Sequence, residues 1–242
     1  MTLNRPAARN ALTWEMYDAI VQACDKAEAN PDVRVLIIRG SGGAFAAGTD
    51  IAQFRDFTDG DAGIAYERRL DAVIDRIERL PLITIAEVDG AAAGGGCAIA
   101  MACDLRFCSE RARFGVPVSR TLGNCLSMNN TARMVDLLGP ALTRDLLLTG
   151  RMLDAHDAVL AGFANSVLPS SQLQEETIKV ALELSTRARS TVAATKAMLI
   201  RLRDHRRPPA GSADDLIREC YGSNEFKEGV KAFLDGRKPN FS

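Results

Sequence analysis

Histidine is scarce in this chain: His156 and His205 are the only two in 242 residues, and they are far apart. A histidine-rich metal centre is therefore excluded. An excess of one charge is also missing. Lys plus Arg is 30 and Asp plus Glu is 31, so nothing in the balance points to nucleic acid or to an anionic membrane surface. No apolar run is long enough to cross a bilayer; the longest, 91–103, is short and built of Gly and Ala. The opening stretch "MTLNRPAARNAL" lacks the apolar centre of a signal peptide. Cys24, Cys97, Cys103, Cys108, Cys125 and Cys220 follow no metal or disulfide spacing. Most lie among apolar neighbours, which fits the reduced thiols of a cytoplasmic protein. Glycine-rich stretches occur, yet none is a G-x-G-x-x-G or a P-loop with its Gly-Lys-Ser/Thr, and no solenoid-type repeat appears.

What is present is enough apolar residue, 47% of the chain, to bury a sizeable core. "VRVLIIRG" (33–40) and "LITIAEVDG" (82–90) are short β-branched runs closed by glycine, the pattern of buried strands. A third strand is expected near "DLRFCSE" (104–110). A helix with Thr13 as N-cap precedes the first strand. Another, over 61–80, carries Ile64, Leu70, Val73, Ile74, Ile77 and Leu80 at helical spacing, with charged residues between them. Glu67 and Asp71 are read there as a solvated face. Helix and strand in alternation predict an α/β body with parallel pairing over 1–121. Residues 122–242 read mostly as helices. One is expected over 170–188 with a Ser171–Gln174 capping box, and a last one over 223–239, ended by Gly236 and Pro239.

Two small-residue stretches follow predicted strands: "SGGAFAAGTDIAQF" (41–54) and "GAAAGGGCAIAMACDL" (90–105). Ligands of α/β sheets bind at that edge. Glycine there lets a ligand approach the backbone, and a helix starting at Gly95 would aim free N–H groups at negative charge. Close packing of helix on sheet also calls for small residues. Two such turns after consecutive strands favour a site in which two backbone N–H groups form an oxyanion hole.

Five segments together resemble the crotonase superfamily, the enoyl-CoA hydratase/isomerase family. They are "LNRPAARNAL" (3–12), "FAAGTDI" (45–51), "GAAAGGGCAIAMACDLRF" (90–107), "FGVP" (114–117) and "EGVKAFLDGRKPNF" (228–241). The resemblance implies a crotonase-like fold of repeated β-β-α units with a helical C-terminal region used in trimerisation, so the partner would be a second and third copy (a homotrimer or a dimer of trimers). It implies acyl-CoA thioester substrates, with coenzyme A entering as part of the substrate and no prosthetic group. Members usually open with a β-hairpin before the first motif, and that hairpin is expected to be largely missing here.

By the same resemblance the oxyanion donors are the backbone N–H groups of Thr49 and Gly95. A branched side chain at Gly95 is expected to stand where the thioester oxygen must approach. The coenzyme would lie along Ala8, Arg9, Ala47, Asp50 and Ile51. Phe233 would reach a neighbouring subunit's ligand, and Arg9, Arg237 and Lys238 would meet phosphates. The family's two catalytic glutamates fall on Ala98 and Val118, neither of which can transfer a proton. That puts enoyl-CoA hydration in doubt and leaves decarboxylation, thioester hydrolysis or non-catalytic acyl-CoA binding open. The polar run 118–134 offers Ser119, Arg120 and Asn124 as candidates to orient a water or hold a substrate carboxylate. For any one of these residues, capping and packing of a helix is the favoured account.

Overall fold

The computed structural model describes residues 1–241. Its elements, in order, begin with β1 (Thr2–Leu3), α1 (Trp14–Ala29), β2 (Val35–Gly40), α2 (Gly60–Glu78) and β3 (Ile83–Val88). Next come β4 (Ala91–Ala93), α3 (Gly95–Ala102), β5 (Leu105–Ser109), β6 (Arg113–Gly115), α4 (Val118–Thr121) and α5 (Met128–Thr149). The chain closes with β7 (Leu153–Asp154), α6 (Ala155–Leu160), β8 (Ser166–Leu168), α7 (Ser170–Ser185), α8 (Arg189–Arg206), α9 (Asp214–Gly222) and α10 (Asn224–Leu234). A five-stranded sheet runs β1-β2-β3-β5-β8 and is parallel throughout. A small second sheet, β4-β6-β7, pairs β4 with β6 in parallel and β6 with β7 antiparallel.

The three expected strands form where their β-branched runs predict, and β3 occupies the centre with five of its six residues buried. Thr13 caps α1 by accepting from the Met16 N–H. The short strands β4, β6, β7 and β8 were not legible: two or three residues carry no period. The Ser171–Gln174 capping box does not form. Helix α7 starts two residues earlier than that box requires, with Pro169 at the N-cap position and no side-chain cap.

Helix α3 is buried along its whole length. Its C-terminal end is fixed by Arg106, whose guanidinium donates to the carbonyls of Cys103 (2.6 Å), Ala100 (3.2 Å) and Phe163 and lies over the Phe163 ring. Helix α9 lies directly on α2. A Cβ on Gly63 would fall 2.2 Å from the Tyr221 ring, so only glycine admits this contact. Residues on the two sides of position 121 thus share one interior. No helix among the described residues is long and apolar enough to cross a membrane.

Candidate active site

Three backbone segments build the site. Asn10 is fully buried and left-handed (φ 56°); its amide donates to the carbonyls of Ser41 (2.8 Å) and Ala44 (2.7 Å) and its oxygen accepts from the Arg5 N–H. That pins the opening motif to the first glycine-rich loop. The Ala47 N–H then donates to the Arg9 carbonyl. Further on, Leu12 accepts from Asp50 N–H (2.9 Å) and donates to the Gly48 carbonyl (2.8 Å). Bonding through 48 and 50 turns the intervening Thr49 N–H to the opposite edge of the segment. The third piece is the start of α3. Gly94 takes φ 49°, ψ −119°, a conformation closed to side chains, and its N–H is held by the Gly115 carbonyl at 2.9 Å. Gly95 is the first helical residue, with its N–H free of the helix ladder. Among the described residues neither the Thr49 nor the Gly95 N–H has a protein acceptor.

Thr49 and Gly95 both line a cavity of about 420 Å³. The wall also contains Ala8, Arg9, Ala47, Asp50 and Ile51, all expected to lie along the coenzyme. Phe233, placed by the resemblance against a neighbouring subunit's ligand, borders the cavity of its own chain while remaining 58% exposed. Among the described residues, Asp50 is the only acidic one lining the cavity. It is neutralised by Arg5 at 2.6 Å and caps the Ala52 N–H. Val118 contributes an apolar stretch of wall beside Leu122, whereas Ala98 is wholly buried in α3.

The other candidates fall elsewhere. Ser119 and Arg120 are exposed and outside the cavity, the Ser119 hydroxyl donating to the Leu147 carbonyl. Arg237 forks onto Glu228 at 2.5 and 2.8 Å, and neither it nor Lys238 lines the cavity. No cluster of three His, Cys, Asp or Glu among the described residues is placed to hold a metal ion.

Two expectations need correction. A side chain at Gly95 would not enter the ligand space: its Cβ would lie 2.3 Å from the Tyr17 hydroxyl and 3.2 Å from Thr49 Oγ1, inside the protein. Those atoms form a buried triad, with Thr49 Oγ1 2.7 Å from both the Tyr17 and the Tyr66 hydroxyl. Position 95 admits only glycine because the start of α3 rests on the Tyr17 hydroxyl.

Glu67 and Asp71 are not a solvated face either. Glu67 is 3% exposed; it accepts from the Tyr221 hydroxyl (2.5 Å) and the Ser127 N–H (2.9 Å). Burial pushes its carboxyl up to about 8, against the pull of the Tyr221 hydrogen bond. Asp71 accepts from Ser127 Oγ (2.6 Å), Asn129 (2.9 Å) and Asn130 (3.1 Å), and burial raises its pKa too. Ser127 also N-caps α5, so the polar run does cap a helix. It anchors two acids of α2 in doing so. Asn124 lines the cavity and donates through Nδ2 to the Tyr221 oxygen at 2.9 Å.

Comparison with known proteins gives one consistent result. The model of the family "Enoyl-CoA hydratase/isomerase" matches residues 1–242. A probable enoyl-CoA hydratase of Mycobacterium bovis is 32% identical over 248 residues, spanning all of this chain and 93% of that protein. A crotonyl-CoA hydratase of Syntrophomonas wolfei is 34% identical over 241 residues, with 99% and 92% covered. Among solved structures, a methylmalonyl-CoA decarboxylase in complex with 2-nitronate-propionyl-CoA superposes with a TM-score of 0.90 at 25% identity, covering all of this chain and 94% of that one. An enoyl-CoA hydratase/isomerase from Xanthobacter autotrophicus gives 0.85 at 29%, covering 98% and 92%.

Proposed function

The chain belongs to the enoyl-CoA hydratase/isomerase family, and within that family we propose that it decarboxylates a malonyl-type acyl-CoA, one bearing a carboxylate on the carbon next to the thioester. One observation carries this reading. Two residues whose backbone N–H groups lack a protein acceptor line a cavity whose only acidic residue, among those described, is already neutralised by an arginine. Loss of CO2 needs no general base. The electron pair of the breaking Cα–carboxylate bond passes into the thioester, and its charge settles on the oxygen between the Thr49 and Gly95 N–H groups. A proton from solvent at Cα then completes the acyl-CoA product. One such donor is typically worth about 3 kcal/mol of barrier. Alkene hydration instead needs acids beside Cα and Cβ, and the positions where the resemblance places the family's glutamates hold Ala98, which is buried, and Val118, an apolar part of the cavity wall. The TM-score of 0.90 to a methylmalonyl-CoA decarboxylase supports the same choice. The relatives bearing hydratase names favour the other.

Coenzyme A would enter as part of the substrate along Ala8, Arg9 and Ala47, with Arg9, Arg237 and Lys238 near its phosphates. We also propose a homotrimer or dimer of trimers in the cytoplasm. Met198, Leu199 and Leu202 of α8 are each more than half exposed, and such apolar faces suit burial by a second copy. Malonyl-CoA decarboxylation, crotonyl-CoA hydration and CoA release, assayed side by side, test the activity. Rapid CO2 release with slow hydration is expected. Hydration at a rate typical of the family, without CO2 release, overturns the reading.

A further inference from the structure

A second cavity, of about 440 Å³, lies between α2, the start of α5 and the end of α8. Among the described residues it shares no wall with the active-site cavity. Three of its arginines are paired. Arg133 forks onto Glu78 at 2.7 and 2.6 Å and gives its remaining nitrogen to Asn130. Arg203 donates to Glu78, to Asp75 at 2.8 Å and to Asp204 at 2.6 and 2.9 Å. Arg79 joins Asp75 (2.5 Å) to Asp204 (2.8 Å). Three guanidiniums thus meet three carboxylates. The remaining acid of the wall, Asp71, is held by Ser127, Asn129 and Asn130.

Arg207 is the fourth arginine of the wall, and it has neither an ion pair nor a hydrogen-bond acceptor among the described residues. Its Nε is shut inside the protein, but the side chain is only half-buried, and the two Nη groups stay open at the cavity. The backbone behind it is extended (φ −83°, ψ 141°), the conformation that Pro208 imposes on its predecessor. Burial, followed by the charge of Arg133, holds the Arg207 pKa below its ordinary value; Arg203 adds to this, while Glu78 and Asp136 oppose it. A partly desolvated cation crowded by two of its own sign is costly unless an opposite charge joins it.

We propose that this cavity binds a small monocarboxylic acid, its carboxylate forked by the two Nη groups of Arg207 and its short apolar body against Ala72, Pro208 and Pro209. A planar guanidinium edge matches a carboxylate in two parallel bonds. One surplus cation calls for one negative charge, and a dianion such as phosphate would also meet Asp71, Asp75 and Asp204 on the same wall. The volume lies in the range of small-molecule sites. The proposal does not depend on which reaction the other cavity performs.

The test reads Arg207 in the full-length wild-type chain. Butanedione modifies guanidiniums that are not engaged, and peptide mass spectrometry follows each arginine separately. Sodium butyrate at about 50 mM should slow modification of Arg207 at least about fivefold relative to sodium chloride of equal ionic strength. Arg5 and Arg9 of the active-site cavity, read in the same digest, should slow less than about twofold. Butyramide, similar in shape but uncharged, should protect nothing, and inorganic phosphate should protect less than butyrate. Calorimetric titration with butyrate should give a dissociation constant on the order of 1 mM. Arg207→Gln should weaken it about tenfold or more, and Arg207→Lys, which keeps the charge but loses the fork, by less. Acetyl-CoA binding within about twofold of wild type shows that both variants fold; if either does not, the wild-type protection decides alone. Equal protection by butyrate and chloride, equal slowing at Arg5 and Arg9, or undiminished butyrate binding in Arg207→Gln overturns the proposal. So does protection that rises with protein concentration and not with butyrate, which would give Arg207 to a carboxylate of a second copy.

Discussion

Gly95→Ala adds one methyl group, and the structure says where it goes. The new Cβ would lie 2.3 Å from the Tyr17 hydroxyl. Ordinary non-bonded contact begins near 3.5 Å, so the hydroxyl must retreat by about 1 Å. Tyr17 is 1% exposed and has no free space to enter. The retreat breaks its 2.7 Å bond to Thr49 Oγ1. Overpacking of this kind costs roughly 1–3 kcal/mol and the lost hydrogen bond about 1 kcal/mol more. In the proposed reaction Thr49 carries one of the two oxyanion donors, so its displacement should also reach the reaction. Complete loss of one donor is worth about 10²–10³ in kcat, and a displaced one should cost roughly 10–100-fold. The decisive variant is the double mutant Gly95→Ala with Tyr17→Phe. Removing the hydroxyl removes the atom that the methyl strikes, and Thr49 keeps its bond to Tyr66. Thermal unfolding and kcat for malonyl-CoA should both return to within about fivefold, or about 1 kcal/mol, of Tyr17→Phe alone. If the double mutant is as impaired as Gly95→Ala while Tyr17→Phe is nearly normal, the methyl acts on the ligand directly and the support role of Tyr17 is refuted.

Thr49→Val keeps the backbone donor but strips the hydroxyl between two tyrosines; stability should fall by about 1–3 kcal/mol in urea titrations while kcat drops less than about tenfold. Glu67 has a raised pKa in the folded protein, so the native state holds a proton that the unfolded chain releases. Stability from this group is therefore full below about pH 4.5 and lost as pH climbs to about 8, with a slope near 1.4 kcal/mol per pH unit. Glu67→Gln should remove that slope from denaturation curves taken across the same window. Arg106→Met leaves three buried carbonyls at the end of α3 without a donor and should cost roughly 2–4 kcal/mol, read as a lower midpoint in guanidinium chloride.

The main strands, α1 to α3 and the two glycine-rich loops were legible because each has a period or punctuation of its own. The residues alone offered two backbone-permissive turns at strand ends; pairing Thr49 with Gly95 came from the family resemblance. Tyr17 and Tyr66 were not legible beside them. Each reads as an ordinary aromatic on a helix, and only the fold shows that both hydroxyls meet one threonine. Glu67 left a trace that charge concealed. It falls three residues after Ile64 and three before Leu70, within the same buried stripe. Its partner Tyr221 lies too far along the chain for any local pattern to join them. Ser119 and Arg120 had the right chemistry for a carboxylate, but α4 turns them to solvent.

The contact between α2 and α9 also orders events in time. Glu67 and Tyr221 are separated by 154 residues. At roughly 5–20 residues per second, a ribosome exposes α2 for about ten to thirty seconds before α9 can arrive. During that wait Glu67 lacks the Tyr221 hydroxyl that covers it in the finished fold. Docking of α9 buries it and must draw in a proton. This docking is thus proton-coupled, and it should slow as the surrounding pH rises.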